Sequence, residues 1–248
     1  MDYYMTFTLL QIGQIVAQRL QLPIVSSVYG STDNNLTFLL AMIEKTVNEI
    51  KDEFPWPQLT REHTFTLSTG VATYDLPSDY DTRLNATIWN RTQAWPMIGP
   101  IDAVEWQQYK SGLIVTLPRQ RFRVFGFPTA KFTVDPTPTS SENGQTCVFE
   151  YISAHPIQTG TGPATYGQRF TADANTVLLD DWMIVDGTVW RYKRERNQEY
   201  EDLRRDAEAQ IETAKTKIMG AGVLTINGLR INSPMIGVWS YPEGNYGI

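Results

Sequence analysis

The sequence predicts an α+β protein in which an N-terminal helical hairpin and a long C-terminal helix form a helical bundle. An antiparallel β-sandwich or barrel-like module is inserted between them, and an extended C-terminal tail follows. Three observations carry this. Large apolar residues recur at steps of three and four up to Phe54 and again after Leu178, the period of one buried helix face. Between Glu62 and Ile152 the period falls to two, with turn residues separating short Thr-rich runs. From Val223 to Ile248 apolar and aromatic side chains persist without either period being sustained. The corresponding division is a helical domain over 1–58 and 178–221, a β-rich domain over 59–177, and an extended arm over 222–248.

Taken in order, Thr8 is placed to cap a first helix with Gln11 three residues on, and Leu9, Ile12, Ile15, Val16 and Leu20 then share one face until Pro23. Ser26 to Asn34 reads as a loop. Leu36, Leu39, Leu40, Ile43, Val47, Ile50 and Phe54 form the stripe of a second helix that Pro55 and Pro57 end, with Glu44, Lys45, Asn48, Lys51 and Asp52 expected on its solvated side. Strand-like runs follow around Phe65–Tyr74, Leu84–Trp89, Trp95–Ile98, Arg121–Phe125, Lys131–Val134 and Thr146–Ile152. A short helix is expected within Ile101–Ser111, capped by Asp102 or the residue before it, and 153–177 is expected to be a long loop. Helix returns near Leu178 and runs towards Met219. If continuous over about forty residues it would be ~60 Å long, more than a small domain spans. Such a helix either bends back near Asn197 to complete the bundle or projects towards neighbouring chains.

Composition excludes several function classes. With 42% hydrophobic and 19% charged residues, a chain of 248 residues folds around one good core with room for a second module. A net charge of −6 argues against gripping a phosphate backbone, which takes clustered Lys and Arg, although it does not prevent nucleic acid from sliding past. Cys147 is the single cysteine, so no intrachain disulfide, zinc knuckle or CxxC pair can be built. Met1-Asp2-Tyr3-Tyr4 lacks the basic and apolar regions of a signal peptide, and no run approaches the ~20 apolar residues of a membrane span. Cytoplasmic assembly without a membrane partner is therefore expected. The sequons at Asn35, Asn85 and Asn90 are short enough to arise by chance.

The residues that could carry chemistry are few. His63 and His155 are the two histidines, which leaves no His-rich metal site and makes a Ser-His-Asp arrangement hard to assemble. Thr159-Gly-Thr-Gly-Pro163 lacks the GK[ST] of a phosphate loop and reads as a flexible loop. Asp180 and Asp181 suit the positive end of a helix dipole, and Asp75, Asp79 and Asp81 surround a Pro-Ser turn. The bland reading of each is structural, and neither a cofactor nor a catalytic residue is expected. Two sharper readings compete with it. Trp89, Trp95 and Trp106 could stack on a sugar in a ligand-binding β-module carried by a helical oligomerisation element, and Asp180, Asp181 or His155 could serve a hydrolase.

One stretch is more specific. The second helix closes with Phe54-Pro-Trp-Pro-Gln-Leu59, a Thr-rich run Thr60-Arg-Glu-His-Thr-Phe-Thr-Leu67 follows, then Ser68-Thr-Gly70 and Tyr74-Asp-Leu-Pro-Ser-Asp79. This order resembles the head–tail adaptor proteins of short-tailed bacteriophages, the tail tubular protein A-like or tail accessory factor group, over the first ninety residues or so. The resemblance implies a virion protein at the head–tail junction: a ring, usually of twelve copies, between the portal protein and the tail nozzle, through which DNA passes without specific binding. It makes Trp56, Tyr74, Leu76, Pro77 and Asp79 packing residues. It also implies subunit contacts along the helix carrying Tyr200, Leu203, Ala207, Ile211 and Ile218. A portal-docking arm would present Ile226, Leu229, Ile231, Met235, Ile236, Trp239, Tyr241 and Tyr246. Eight basic against seven acidic side chains from Arg191 to Lys217 suit a solvated helix face or a register-setting contact between copies.

Overall fold

The computed structural model describes residues 6–23, 25–83, 87–112, 120–126, 130–160 and 165–219. The expected arm over 222–248, and with it the eight residues from Ile226 to Tyr246 named above, lies outside the described residues, as does the first half of the expected run at Leu84–Trp89.

Helices open and close the described chain. Thr8 caps α1 (Leu9–Arg19) with a full capping box, the Thr8 N–H donating to Gln11 Oε1 at 2.9 Å and the Gln11 N–H to Thr8 Oγ1 at 3.3 Å. Asp33 caps α2 (Asn34–Glu53), which ends where Phe54 turns extended ahead of Pro55. A 3-10 turn over Pro57–Leu59 leads into the strands. After a short α3 (Ala103–Lys110, capped by Asp102) and the strands, Asp180 opens α4 (Asp181–Glu195), and α5 (Glu201–Met219) follows. The alternative left open at Asn197 is thereby decided: the long C-terminal helix bends. Asn197 sits in the left-handed region at φ 53°, its N–H donates to the Arg194 carbonyl at 3.0 Å, and the Gln198 N–H reaches the Lys193 carbonyl at 2.9 Å. These two bonds make a Schellman stop, so the chain leaves α4 sharply and α5 folds back onto it.

α4 is the central helix, with α1, α2 and α5 all packed on it. The stripes of α1 and α2 that could not be hidden by one another alone are hidden here: Leu9, Ile12, Val16, Leu39, Ile43, Val47 and Ile50 share one core with Ile184, Val185 and Ile211. Burying each such side chain contributes roughly 1.5–3 kcal/mol, so this cluster dominates the stability of the helical part. The polar side of α2 is not purely solvated. Glu44 accepts the Phe170 N–H at 3.3 Å, and Lys51, its side chain only 9% exposed, pairs with Asp81 at 3.3 Å.

The β-rich part contains β1 (Thr60–Thr66), β2 (Thr73–Asp75), β3 (Tyr80–Arg83), β4 (Trp89–Asn90), β5 (Trp95–Pro96), β6 (Arg121–Phe125), β7 (Lys131–Asp135) and β8 (Thr146–Ser153). The pairings between these strands are antiparallel, and an isolated parallel bridge joins Ile98 to Arg121. One sheet has the order β1-β8-β4-β5, with β3 also pairing β8, and the other has the order β2-β7-β6. They face each other across stacked rings, Phe132 5.8 Å from Phe149 and 5.0 Å from Phe122, over a core that includes Leu67, Ile88, Val134, Cys147 and Tyr151. The arrangement is an open sandwich; among the described residues no sheet closes into a barrel.

The expected loop at 153–177 is instead a small third sheet, β10-β9-β11, made of β9 (Ile157–Gln158), β10 (Tyr166–Gly167) and β11 (Thr176–Val177). Two-residue strands show no alternation, which is why periodicity missed them. Ile157, Phe170 and Val177 point from this segment into the helical core, not into the sandwich.

Candidate interaction surfaces and the Asp79 node

The Tyr-x-Leu-Pro-x-Asp segment builds a buried polar node. Tyr80 donates its N–H to the Pro77 carbonyl at 3.0 Å, closing the turn that aims Asp79 inward. There its carboxylate accepts from Tyr151 Oη at 2.8 Å, Ser153 Oγ at 2.7 Å and Arg61 Nη1 at 3.1 Å, tying β1, β8 and the turn before β3 together. Burial pushes the Asp79 carboxyl up, but the hydrogen bonds from Ser153 and Tyr151 and the Arg61 charge outweigh it and hold it below the ordinary range. The same environment pushes the Tyr151 phenol well up, chiefly through burial and its bond to Asp79. Arg61 also lies 3.8 Å over the Tyr166 ring, extending the node to the third sheet. Among the other motif residues, Trp56 is buried and donates Nε1–H to the Ile50 carbonyl at 2.6 Å. Tyr74 Oη donates to the Val71 carbonyl at 2.8 Å, and Leu76 packs against the sandwich core.

The candidate chemical residues do not converge. Asp180 caps α4, its Oδ1 accepting the Trp182 N–H at 2.9 Å, and Asp181 accepts the Phe7 N–H at 2.7 Å. Burial, with the Asp180 charge added, pushes the Asp181 carboxyl up to about 6 against the pull of that bond. His155 donates its N–H to Ser153 Oγ at 3.1 Å. His63 lies in β1 against Phe149, 5.3 Å between ring centroids, where burial lowers its pKa against the opposing Asp79 charge. The Cys147 thiol is buried in the sandwich and pushed up to about 12 by that burial. Asp75 pairs with Lys131 and Asp81 with Lys51. Thr159 binds across to Thr165, while 161–164 lie outside the described residues. Among the described residues no three His, Cys, Asp or Glu side chains gather as metal ligands. No described helix is long and apolar enough to cross a membrane.

Nor do the three tryptophans form one stacking platform. Trp89 lines a groove of about 520 Å³ with Glu62, Arg91 and Glu150 on the outer face of the larger sheet. Trp95 lines a different groove beside Gln120 and Glu142, and Trp106 is buried on α3.

The remaining surface of note is helical. Along α5, Ala207 and Ile211 are buried and Leu203 and Ala214 are packed against the chain's own core, while Ile218 and Met219 are exposed at its end. Tyr200 stacks on Trp190 at 6.3 Å. The outward side carries the Arg204–Glu208 and Arg205–Asp202 pairs. At the opposite end of α4, Trp182 is 49% exposed and meets Phe7 edge-on at 5.6 Å.

Comparison with known families decides the class: the SU10 adaptor protein model matches residues 7–228, nearly the whole chain. The chain belongs to the SU10 adaptor protein family. No curated protein matches it. As an SU10 adaptor it is a structural phage protein, in a family that is not enzymatic. In this adaptor the Asp79 node, which sequence reasoning treated as turn chemistry and packing, is the junction of three strands. The signal for it was the inward-facing Tyr151 and Ser153 at the same step of two along β8 as Phe149, visible only once the register with β1 is known.

Proposed function

We propose that this SU10 adaptor forms a closed ring, usually of twelve copies, between the portal and the tail nozzle at the head–tail junction, and continues the channel through which DNA leaves the particle. The observation that carries the reading is the family match across 7–228, which runs through both the helical part and the sandwich. A closed ring needs a heterologous contact, in which two different surfaces of one subunit meet. The outward charges of α5, with Tyr200 and Ile218 at its ends, and the exposed Trp182 at the start of α4 are the candidate surfaces. The helical part (1–58, 178–221) serves subunit packing, the β-rich part (59–177) faces the nozzle, and the arm (222–248) reaches the portal. A net charge of −6 argues against a chain that grips DNA.

Co-expression with the portal protein tests this. The full chain is expected to co-purify with the portal as a ring visible by electron microscopy, and removal of 223–248 to abolish that association. Co-purification unchanged by the deletion overturns the arm as the dock. Virion imaging that places the chain away from the portal vertex overturns the adaptor position altogether.

A further inference from the structure

β1 is an edge strand with a defined set of vacant backbone groups. In an antiparallel ladder the bonded pairs alternate, and the bonds of β8 settle which residues of β1 are engaged. Thr146 and Glu150 turn their backbone groups to the β4 side: the Arg91 N–H donates to the Thr146 carbonyl at 2.8 Å, and the Glu150 N–H donates to Thr87 Oγ1 at 3.1 Å. One step past β1, the Leu67 N–H donates to the Gln145 carbonyl at 2.9 Å. Phe65, His63 and Arg61 follow the same alternation and bond to Cys147, Phe149 and Tyr151. The N–H and C=O groups of Glu62, Thr64 and Thr66 therefore point away from β8, and among the described residues no backbone bond reaches them. All three residues are exposed, and the strand has no proline, lysine or bulge to guard this edge.

The two faces beside the edge specify what fits there. On the outer face Glu62 and Glu150 stand directly opposite each other in the ladder, where like charges repel. Arg91 lies 2.6 Å from the Glu62 carboxylate, whereas among the described residues no cation pairs with Glu150. Both carboxylates line the groove of about 520 Å³ that Val148 and Trp89 also line, so this side of the edge carries a surplus negative charge. On the inner face His63 and Phe65 are half-buried, and Phe65 packs edge-on against Phe132 at 5.1 Å, which carries the apolar layer out to the rim of the sheet. A second copy is the wrong occupant, because its own β1 would bring the same acidic pair alongside. A strand with arginine or lysine on its outward side and apolar residues on its inward side matches both faces.

We propose that the β1 edge takes up an extended basic segment of a partner protein as an added strand. The partner's backbone pairs with the free groups of Glu62, Thr64 and Thr66, which supplies affinity without regard to sequence. Its alternating side chains supply the selection: the inward ones continue the Phe65 layer, and an outward cation offsets the repulsion between Glu62 and Glu150. The inference goes beyond the adaptor reading and does not depend on it.

Residue-resolved amide exchange on the full chain tests this with two synthetic peptides. The basic probe is Thr-Val-Arg-Val-Arg-Val-Arg-Val-Thr, and its control carries glutamate in place of each arginine. With about 1 mM basic peptide the Glu62, Thr64 and Thr66 amides should exchange about tenfold more slowly, as a Kd near 0.1 mM requires. The acidic peptide should leave them unchanged. In the Glu62→Lys, Glu150→Lys double variant the preference should reverse, while the Arg61, His63 and Phe65 amides stay protected and report an intact sandwich. No slowing by the basic peptide would overturn the proposal, and equal slowing by both peptides would overturn the charge selection that names the partner. Slow exchange of the three amides before any peptide is added would also overturn it, because the edge would then be filled by the chain itself or by a second copy.

Discussion

Asp79 and Tyr151 stand 72 positions apart in sequence, yet the Tyr151 hydroxyl donates to the Asp79 carboxylate at 2.8 Å inside the closure between β1, β8 and β3. With Ser153 and Arg61 on the other carboxylate oxygen, this one side chain ties together three segments far apart in sequence. Removing one partner of a buried charged network leaves the rest unpaired, which costs more than the network itself contributes. Asp79→Asn is therefore expected to lower stability by about 3 kcal/mol at neutral pH, read by denaturant unfolding. Because the folded carboxyl is held below its ordinary value, its contribution is present above pH ~4 and lost as pH falls through the folded pKa. The gap between native and variant should narrow in that acid range, and a constant gap would sink the charge-based account.

Asp181 behaves in the opposite sense. Its carboxyl is pushed up to about 6, so the folded state carries a penalty for the charged form above that pH. The penalty fades as pH falls from about 6 towards the unfolded value near 4. Asp181→Asn keeps an oxygen for the Phe7 N–H and removes the charge. The group is only partly buried, so the expected gain is about 1 kcal/mol at pH 7.5, closing by pH 4. Thermal melts of both proteins across that window check it. A variant less stable at every pH would mean that the charge serves the helix dipole more than burial opposes it.

Asn197 carries the bend between α4 and α5. At φ 53° a β-branched side chain meets the backbone, whereas glycine does not. Asn197→Val should cost about 1–2 kcal/mol, whereas Asn197→Gly should be neutral or slightly stabilising. Equal melting temperatures for the two variants would show that the bend is imposed by packing and not by its own stop signal.

Much of the helical part was legible because its signals are local. Thr8 and Gln11, Asp33, Asp180 and the Pro55 stop each act within one turn of chain, and the α2 stripe follows from period alone. The left-handed stop was less visible, since an asparagine in a charged run does not announce its φ. The third sheet was invisible: its strands are two residues long and held by ties such as Asn175, whose side chain accepts the Thr171 and Ala172 N–H groups at 2.6 and 2.9 Å. Likewise Asp173 gathers the Val28 and Tyr29 N–H groups at 3.0 and 2.8 Å from 145 and 144 residues away, a pairing no window of sequence contains. The Asp79 node was half legible. A carboxylate was expected at a turn, but its partners on β8 depend on strand register.

Trp56 closes α2 by covering one of its unpaired carbonyls. The last carbonyls of a helix have no partner within it, and Trp56 Nε1–H fills the place at Ile50. Trp56→Phe keeps most of the ring packing against Phe54 but strands that carbonyl, so about 1–2 kcal/mol is expected to be lost. Trp56→Ala adds a cavity and should cost about 3–5 kcal/mol. Equal losses for the two would assign the whole effect to the hydrogen bond.

Gly187 lies where α4 crosses α2, and a β-carbon there would stand 2.7 Å from Thr46 Cγ2 and 3.0 Å from Arg191 Nη1. Alanine in a helix gains about 1 kcal/mol over glycine in propensity, so an unobstructed site would be stabilised by the change. The site is obstructed. Thr46 is fully buried and its hydroxyl is tied to the Met42 carbonyl at 2.8 Å, so its methyl cannot swing aside without breaking that bond. Overpacking of this kind costs about 1–3 kcal/mol, which outweighs the propensity gain and makes Gly187→Ala destabilising on balance. Thr46→Ser removes the obstructing methyl while retaining the hydroxyl bond. The double variant should therefore recover most of the loss in a double-mutant cycle, with a coupling of about 1 kcal/mol or more. Strictly additive effects would mean that the close crossing of α2 and α4 is set by the neighbouring Arg191–Glu49 ion pair and not by the absence of a side chain at 187.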